Sequence, residues 1–165
     1  MASEGHIEAE VLTPEGRVFE GELFQVSLRT VAGLIGVRAR HVPVLARLVP
    51  TEMRLYESES DFRSSKARRY AAAEGWMEVF ANKVVVLVEE AHPPESLDVA
   101  ELQERRRDAE QRLSETEEDT AAHETAQRDI ERLDAFLKIA GGGYPAPTAG
   151  GASEGCGGFA PHMHG

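Results

Sequence analysis

Five sets of side chains have the types and spacing to do chemistry. His41 would become a general base beside a nucleophile or a carboxylate, but neither stands at a suggestive spacing, so it reads as a loop-packing or partner-contact residue. Cys156, His162, Met163 and His164 are soft ligands within a short span that would suit copper, nickel or zinc. They lie among Gly, Pro, Ala and Ser, which fix no ligand geometry, so no metal site is assigned. Gly33 and Gly36 make no phosphate loop, because no helix with Lys-Ser/Thr follows them. Arg105-Arg106-Arg107 is surrounded by acids and reads as a solvated helix face, and Arg128 and Arg132 read first as ion-pair partners. No acid–base or nucleophile constellation emerges and no cofactor is expected, which leaves a binding or structural role.

The charge balance narrows the partners. A formal net charge of −11 argues against nucleic acid, whose phosphates need a basic face, and against direct docking on an anionic membrane surface. The single cysteine excludes an internal disulfide framework. Met1 to Glu10 carry acids rather than a basic stretch followed by an apolar core, so no signal peptide is expected. The longest apolar stretches, Val84 to Val88 and Val42 to Leu48, are far short of a membrane span. No direct membrane insertion is expected, and any membrane association must go through a partner.

The elements that would carry these residues change character along the chain. Ile7, Ala9 and Val11 alternate with acids as in a half-buried strand, and Thr13-Pro14-Glu15-Gly16 supplies a turn. Phe24, Val26 and Leu28 alternate in a second strand, while Gly33 and Gly36 around Leu34-Ile35 predict tight turns or a bulge rather than helix. Pro43 and Pro50 keep the next stretch extended. Met53 and Leu55 against Glu52, Arg54 and Tyr56 predict a strand with one polar face, and Glu57 to Lys66 an exposed hairpin end. Gly75 and Ala81-Asn82-Lys83 punctuate the last pair. Val84 to Val88, apolar on both faces, is expected to run through the middle of the sandwich.

At His92-Pro93-Pro94 the pattern turns helical. Asp98, with Glu101 three residues on, resembles a capping box. Leu102, Arg106, Ala109 and Leu113 share one face of a first helix. Ala122, Ala126, Ile130, Leu133, Leu137 and Ala140 share one face of a second. Acid-to-base pairs four apart (Glu101–Arg105, Asp108–Arg112, Glu124–Arg128, Asp134–Lys138) would each contribute ~0.3 kcal/mol to their helices. These apolar stripes are thin, so the hairpin must lean on the sandwich, on a partner, or on each in turn. The expected organisation is an N-terminal antiparallel β-sandwich over 1–91, a Pro-rich linker over 92–96, a two-helix antiparallel hairpin over 97–140 and a disordered Gly-rich tail over 141–165.

This order resembles the epsilon subunit family of bacterial F-type ATP synthases, and short motifs carry the resemblance over roughly residues 6 to 140. Gly33-Leu34-Ile35-Gly36-Val37 followed by Arg40-His41-Val42-Pro43-Val44-Leu45 is similar to that family's glycine-bracketed strand and Gly-His-x-Pro-Leu-Leu segment. Glu74-Gly75-Trp76-Met77-Glu78-Val79, with Asn82-Lys83-Val84-Val85-Val86-Leu87 after it, looks like its Gly-Gly-x-x-Glu-Val and Asn-x-Val-x-Val-Leu segment. Leu97-Asp98 opens the first helix as in the family. Arg40 stands where the family usually has Gly, and Thr51 follows Pro50 where Gly is usual.

The resemblance implies a sandwich docked on the gamma subunit and the c-ring, with Gly33, Leu34, Ile35, Gly36, His41, Pro43 and Leu45 as contact residues. It implies a hairpin that moves to restrain ATP hydrolysis, reaching the alpha/beta catalytic head, with Arg128, Arg132 and Lys138 facing acidic partners. It places the chain at the cytoplasmic face of the bacterial inner membrane, held there through the complex. Some members bind ATP through a Leu-Asp-x-x-Arg-Ala motif and two basic residues on the second helix. Asp98, Arg128 and Arg132 match, whereas Glu101 and Leu102 replace the Arg and Ala. A carboxylate beside a polyphosphate is unfavourable, so at most a weak ATP contact is implied. The competing reading is a nucleotide- or metal-sensing module with the hairpin as its lid.

Overall fold

A computed structural model of the chain describes residues 2–142. Ten strands form one hydrogen-bonded run in the order β10-β7-β6-β3-β5-β8-β9-β1-β2, with β4 paired to the side of β3. They are β1 (Ile7–Thr13), β2 (Gly16–Leu23), β3 (Gln25–Thr30), β4 (Gly33–Val37), β5 (Val44–Leu48), β6 (Thr51–Tyr56), β7 (Arg68–Ala72), β8 (Gly75–Phe80), β9 (Lys83–Val88) and β10 (Ala91–His92). The run folds where β3 meets β5 through a single register pair, Thr30 with Leu48. One layer is β10-β7-β6-β3 and the other β5-β8-β9-β1-β2. Between them Ile7, Leu28, Met53, Leu55, Met77 and Val86 are among the buried residues of one apolar core. Burial of such side chains supplies the main driving force for closing the sandwich.

The helices are α1 (Glu59–Arg63), α2 (Val99–Glu115) and α3 (Ala121–Ala140), with a short 3-10 turn at Pro94–Ser96. Asp98 caps α2, its Oδ1 accepting from the N–H groups of Ala100 at 2.9 Å and Glu101 at 3.2 Å. Thr120 caps α3 by accepting from the His123 N–H. The two helices pack on each other and lie on the outer face of β6 and β7. There Ala71 and Ala73, having small side chains, let Leu102, Leu133, Phe136 and Ile139 close a second core.

Several expectations need correction. The stretch 17–23, given no strand above, is β2. The segment around Leu34-Ile35 is strand β4. Gly33, at φ 127°, serves the turn into it, while Gly36 lies inside the strand. The Glu57 to Lys66 stretch contains α1, capped by Ser58 Oγ accepting from the Asp61 N–H. β6 is buried along its whole length, because Glu52 and Arg54 face the hairpin rather than water. β9 is central in its layer, but its outer face is open: Leu87 is half exposed, since no described element covers that side.

The hairpin is also misphased in places. On α3 the fully buried residues include Phe136 and Ile139, outside the expected stripe, because this helix packs on α2 and on the sheet at once. Arg105 and Arg112 pair with Glu90 and Asp129 rather than with Glu101 and Asp108. Arg128 donates to Thr125 Oγ1 rather than pairing with Glu124. β10 carries the sheet one residue past the expected boundary at 91. The tail from 143 onward, with Cys156, His162, Met163 and His164, lies outside the described residues.

Candidate functional site

The expected contact residues divide between two ends of the sandwich and one face. Gly33 and Leu34 sit at the β3–β4 turn, where Leu34 and neighbouring Val31 are exposed. Ile35 packs against the inner core and Gly36 lies over the Gln25 amide. His41 and Pro43 occupy the loop between β4 and β5 at the opposite end. Its backbone is held by the Arg40 N–H donating to Asn82 Oδ1 at 3.0 Å, and Asn82 Nδ2 in turn donates to the His6 carbonyl at 2.9 Å. Arg40 adopts φ 62°, a left-handed conformation natural to glycine, which accounts for the glycine usual there. Arg38, at the start of the loop, stacks between the rings of Phe24 and Phe62, a contact worth roughly 0.5–1 kcal/mol at an exposed site.

Leu45 belongs to a wider surface. On β8 the period of two sends Met77 and Val79 inward and Trp76, Glu78 and Phe80 outward. Register places Trp76 between Arg47 and Leu87, Leu45 opposite Glu78, and Phe80 opposite Lys83. Leu45 is 71% exposed, Phe80 65%, and Trp76 and Leu87 50% each. Large apolar side chains gathered on one uncovered sheet face mark an interaction surface rather than scattered exposure. Trp76, Phe80 and Leu87 were not singled out from the sequence, although the alternation within Trp76-Met77-Glu78-Val79-Phe80 carried the signal.

At the β7–β8 and β9–β10 connections, where the two layers join, an ionic cluster ties the hairpin to the sandwich. Arg132 of α3 donates through Nε to Glu74 Oε2 at 3.0 Å, through Nη2 to Glu74 Oε1, and through Nη1 to Glu90 Oε1 at 2.9 Å. Glu90 also accepts from Arg105 Nη2 at 3.1 Å and stands 3.1 Å from His92 Nε2. The Arg132 side chain is 14% exposed, so these contacts are only partly screened. Burial alone would raise the Glu90 pKa, but the His92 hydrogen bond and the Arg105 and Arg132 charges outweigh it and hold the carboxyl below its ordinary range. Arg132 is shifted upward, chiefly by its hydrogen bonds to Glu74.

A second cluster lies under the hairpin. Glu52 Oε1 accepts from Arg54 Nε at 2.9 Å and Arg69 Nε at 2.5 Å. Burial pushes its carboxyl up, yet the two arginines more than offset this and lower it. Asp98, expected as a weak nucleotide contact, spends its carboxylate on the helix cap. Arg128 lines a hollow with Arg47, Trp76 and Arg132, and Lys138 is exposed near the end of α3. No group of three or more His, Cys, Asp or Glu among the described residues could hold a metal ion. Glu74 and Glu90 stand at strand ends, where no pattern in the sequence distinguishes them.

A two-layer sandwich with one apolar face open and a helical hairpin clamped to the other defines a class of small docking subunits. The profile described as "ATP synthase, Delta/Epsilon chain, beta-sandwich domain" matches residues 6–94. The ATP synthase epsilon chain of Persephonella marina is 35% identical over 80% of this chain and 94% of its own length. That of Halalkalibacterium halodurans is 31% identical over 79% and 94%. The fold is similar to a chain in the cryo-EM structure of the Euglena gracilis mitochondrial ATP synthase, OSCP/F1/c-ring, with a TM-score of 0.65 and 18% identity over 82% of each chain. The chain belongs to the epsilon family of F-type ATP synthase subunits.

Proposed function

We propose that this chain is a non-catalytic central-stalk subunit whose sandwich, residues 1–91, docks on the gamma subunit and the c-ring. The hairpin, residues 97–140, is joined through the linker 92–96 and regulates ATP hydrolysis by leaving the sandwich for the catalytic head. The observation that carries the docking half is the open apolar face of Leu45, Trp76, Phe80 and Leu87. The Euglena structure holds F1 and c-ring together, which supports the same partners here. No helix among the described residues is long and apolar enough to cross a membrane. That fits a peripheral place at the cytoplasmic face of the bacterial inner membrane, held through the complex.

The regulatory half is supported by the nature of the hairpin contact. A switch needs two packings of similar energy. The second core is small and alanine-rich, so undocking the hairpin exposes little apolar surface. The lid reading of a nucleotide sensor is disfavoured because Glu74 and Glu90 already neutralise Arg132, and Asp98 is committed to its cap.

The test is binding of full-length protein to the gamma subunit of the same organism, comparing wild type with Leu45→Glu and Trp76→Glu. Both side chains are exposed, so the fold should survive by circular dichroism while binding falls at least about tenfold, roughly 1.4 kcal/mol. Unchanged binding by both folded variants overturns the docking face. Ile35 is a poor probe, because it packs on the inner core.

A further inference from the structure

We propose that Arg38 is a positioning residue for the contact loop 39–43, held by a relay that runs from Gly36 through Gln25. The inference rests on the reading that this loop meets a partner, and adds how the free subunit keeps it in a binding-ready shape.

The relay begins with space. A Cβ on Gly36 would lie 3.0 Å from Gln25 Nε2, so glycine there leaves room for the Gln25 amide over β4. Gln25 is buried at 6% exposure, and its Nε2 donates to Ser27 Oγ at 2.6 Å. The amide oxygen is thereby turned outward, where it accepts from Arg38 Nε at 2.6 Å. Only this orientation of the amide offers an acceptor to the guanidinium. The guanidinium carbon stands 4.8 Å from the centroid of Phe24 and 4.7 Å from that of Phe62. Phe62 reaches it from α1, and its ring packs edge-on against Tyr56 at 5.1 Å. Two segments distant in sequence, Phe24-Gln25 and Phe62, therefore converge on one arginine that pairs with no carboxylate among the described residues.

What Arg38 fixes is the loop. Its carbonyl accepts from the His41 N–H at 3.2 Å, and Asn82 holds the Arg40 N–H at the other side. Arg40, in a left-handed conformation that a non-glycine residue adopts at a cost, persists only while both tethers hold. His41, Val42 and Pro43 are then presented in one shape, with Val42 67% exposed. A loop ordered before binding spares the partner its ordering cost, so losing Arg38 lowers affinity without removing a contact.

The experiment uses full-length Arg38→Gln, Arg38→Lys and, as a loop probe, Val42→Asp. Each is bound to the ATP synthase complex stripped of this subunit, and amide exchange is followed in the free chain. The Arg38 variants should bind about tenfold more weakly. Exchange at the Arg40 and His41 amides should rise about tenfold or more, with strand amides unchanged. Arg38→Lys keeps the charge but not the planar stack, so it should resemble Arg38→Gln. If Val42→Asp weakens binding and the Arg38 variants do not, the positioning role is overturned. If Val42→Asp has no effect, the partner contact fails instead. Unchanged exchange at Arg40 and His41 in Arg38→Gln overturns the positioning role whatever the binding result.

Discussion

Arg132 and Glu74, 58 residues apart in the chain, meet as a two-pronged guanidinium–carboxylate pair where α3 passes the start of β8. The fork geometry needs the planar guanidinium, and a lysine ammonium cannot reproduce it while also reaching Glu90. Arg132→Lys should therefore loosen the hairpin almost as much as Arg132→Met. A double-mutant cycle with Glu74→Gln should give a coupling of about 1–3 kcal/mol. Trp76 lines the same hollow as Arg132, so its fluorescence reports the change. Additive effects would mean that the pair does not hold the hairpin.

Acid should release the hairpin before the sandwich opens. Against its burial, Glu90 has its carboxyl held below the ordinary value by the His92 hydrogen bond and by Arg105 and Arg132 of the hairpin. As pH falls the released form takes up protons first, near the usual Glu pKa of about 4.3, and the docked form only lower. Its contribution to docking is therefore complete above about 4.3 and is lost as pH falls through the docked value. Trp76 emission should change at a higher pH than far-ultraviolet circular dichroism. In Glu90→Gln the acid step should shrink and docking at neutral pH should already be weaker. An acid step unaltered in Glu90→Gln would assign it to other groups.

Arg40→Gly should leave stability unchanged or raise it by up to about 1 kcal/mol. Relief of the left-handed backbone is worth roughly 1–2 kcal/mol, and the added freedom of glycine in the unfolded chain takes back part of it. Denaturant midpoints of the two proteins decide this, and a clear loss in Arg40→Gly would show that the arginine side chain holds the loop through contacts of its own.

Gly75→Ala should be severe. A Cβ at that position would lie 1.9 Å from the Leu87 carbonyl oxygen and 2.8 Å from the Val88 Cα, both backbone atoms that cannot turn aside. The β8–β9 ladder must shift to admit it, at a cost of at least about 2 kcal/mol. Thermal unfolding measures the cost, and a variant as stable as wild type would mean that this ladder is far looser than its register implies.

What could be read from the sequence was whatever a single periodicity governs. β1, with Ile7, Ala9 and Val11 inward, and the Asp98 cap of α2 follow from local pattern alone. β6 does not, because Glu52 and Arg54 look like a water-facing edge until Arg69 and the hairpin neutralise and cover them. Phe136 escaped for a related reason: a helix that touches both a sister helix and a sheet buries two stripes, and a one-face reading finds only the first. The resemblance fixed the family through short motifs, but it pointed to Arg132 as a ligand contact or a partner-facing cation. The residues themselves read Arg132 first as an ion-pair partner, and in the free chain it is one, through Glu74 and Glu90, which no local pattern marks.

The parallel pairing of β1 with β9, Glu8 through Leu12 alongside Lys83 through Leu87, bears on the order of assembly during synthesis. β1, synthesised well before β9, waits for almost the last strand of the sandwich before its inner edge is covered. Such distant pairing makes closure slow and leaves the early hairpin of β1 and β2 exposed to wrong partners meanwhile. The two helices come later still, so they emerge onto a surface already finished, whereas any nascent chain still short of residue 88 has no closed sandwich to protect its early strands.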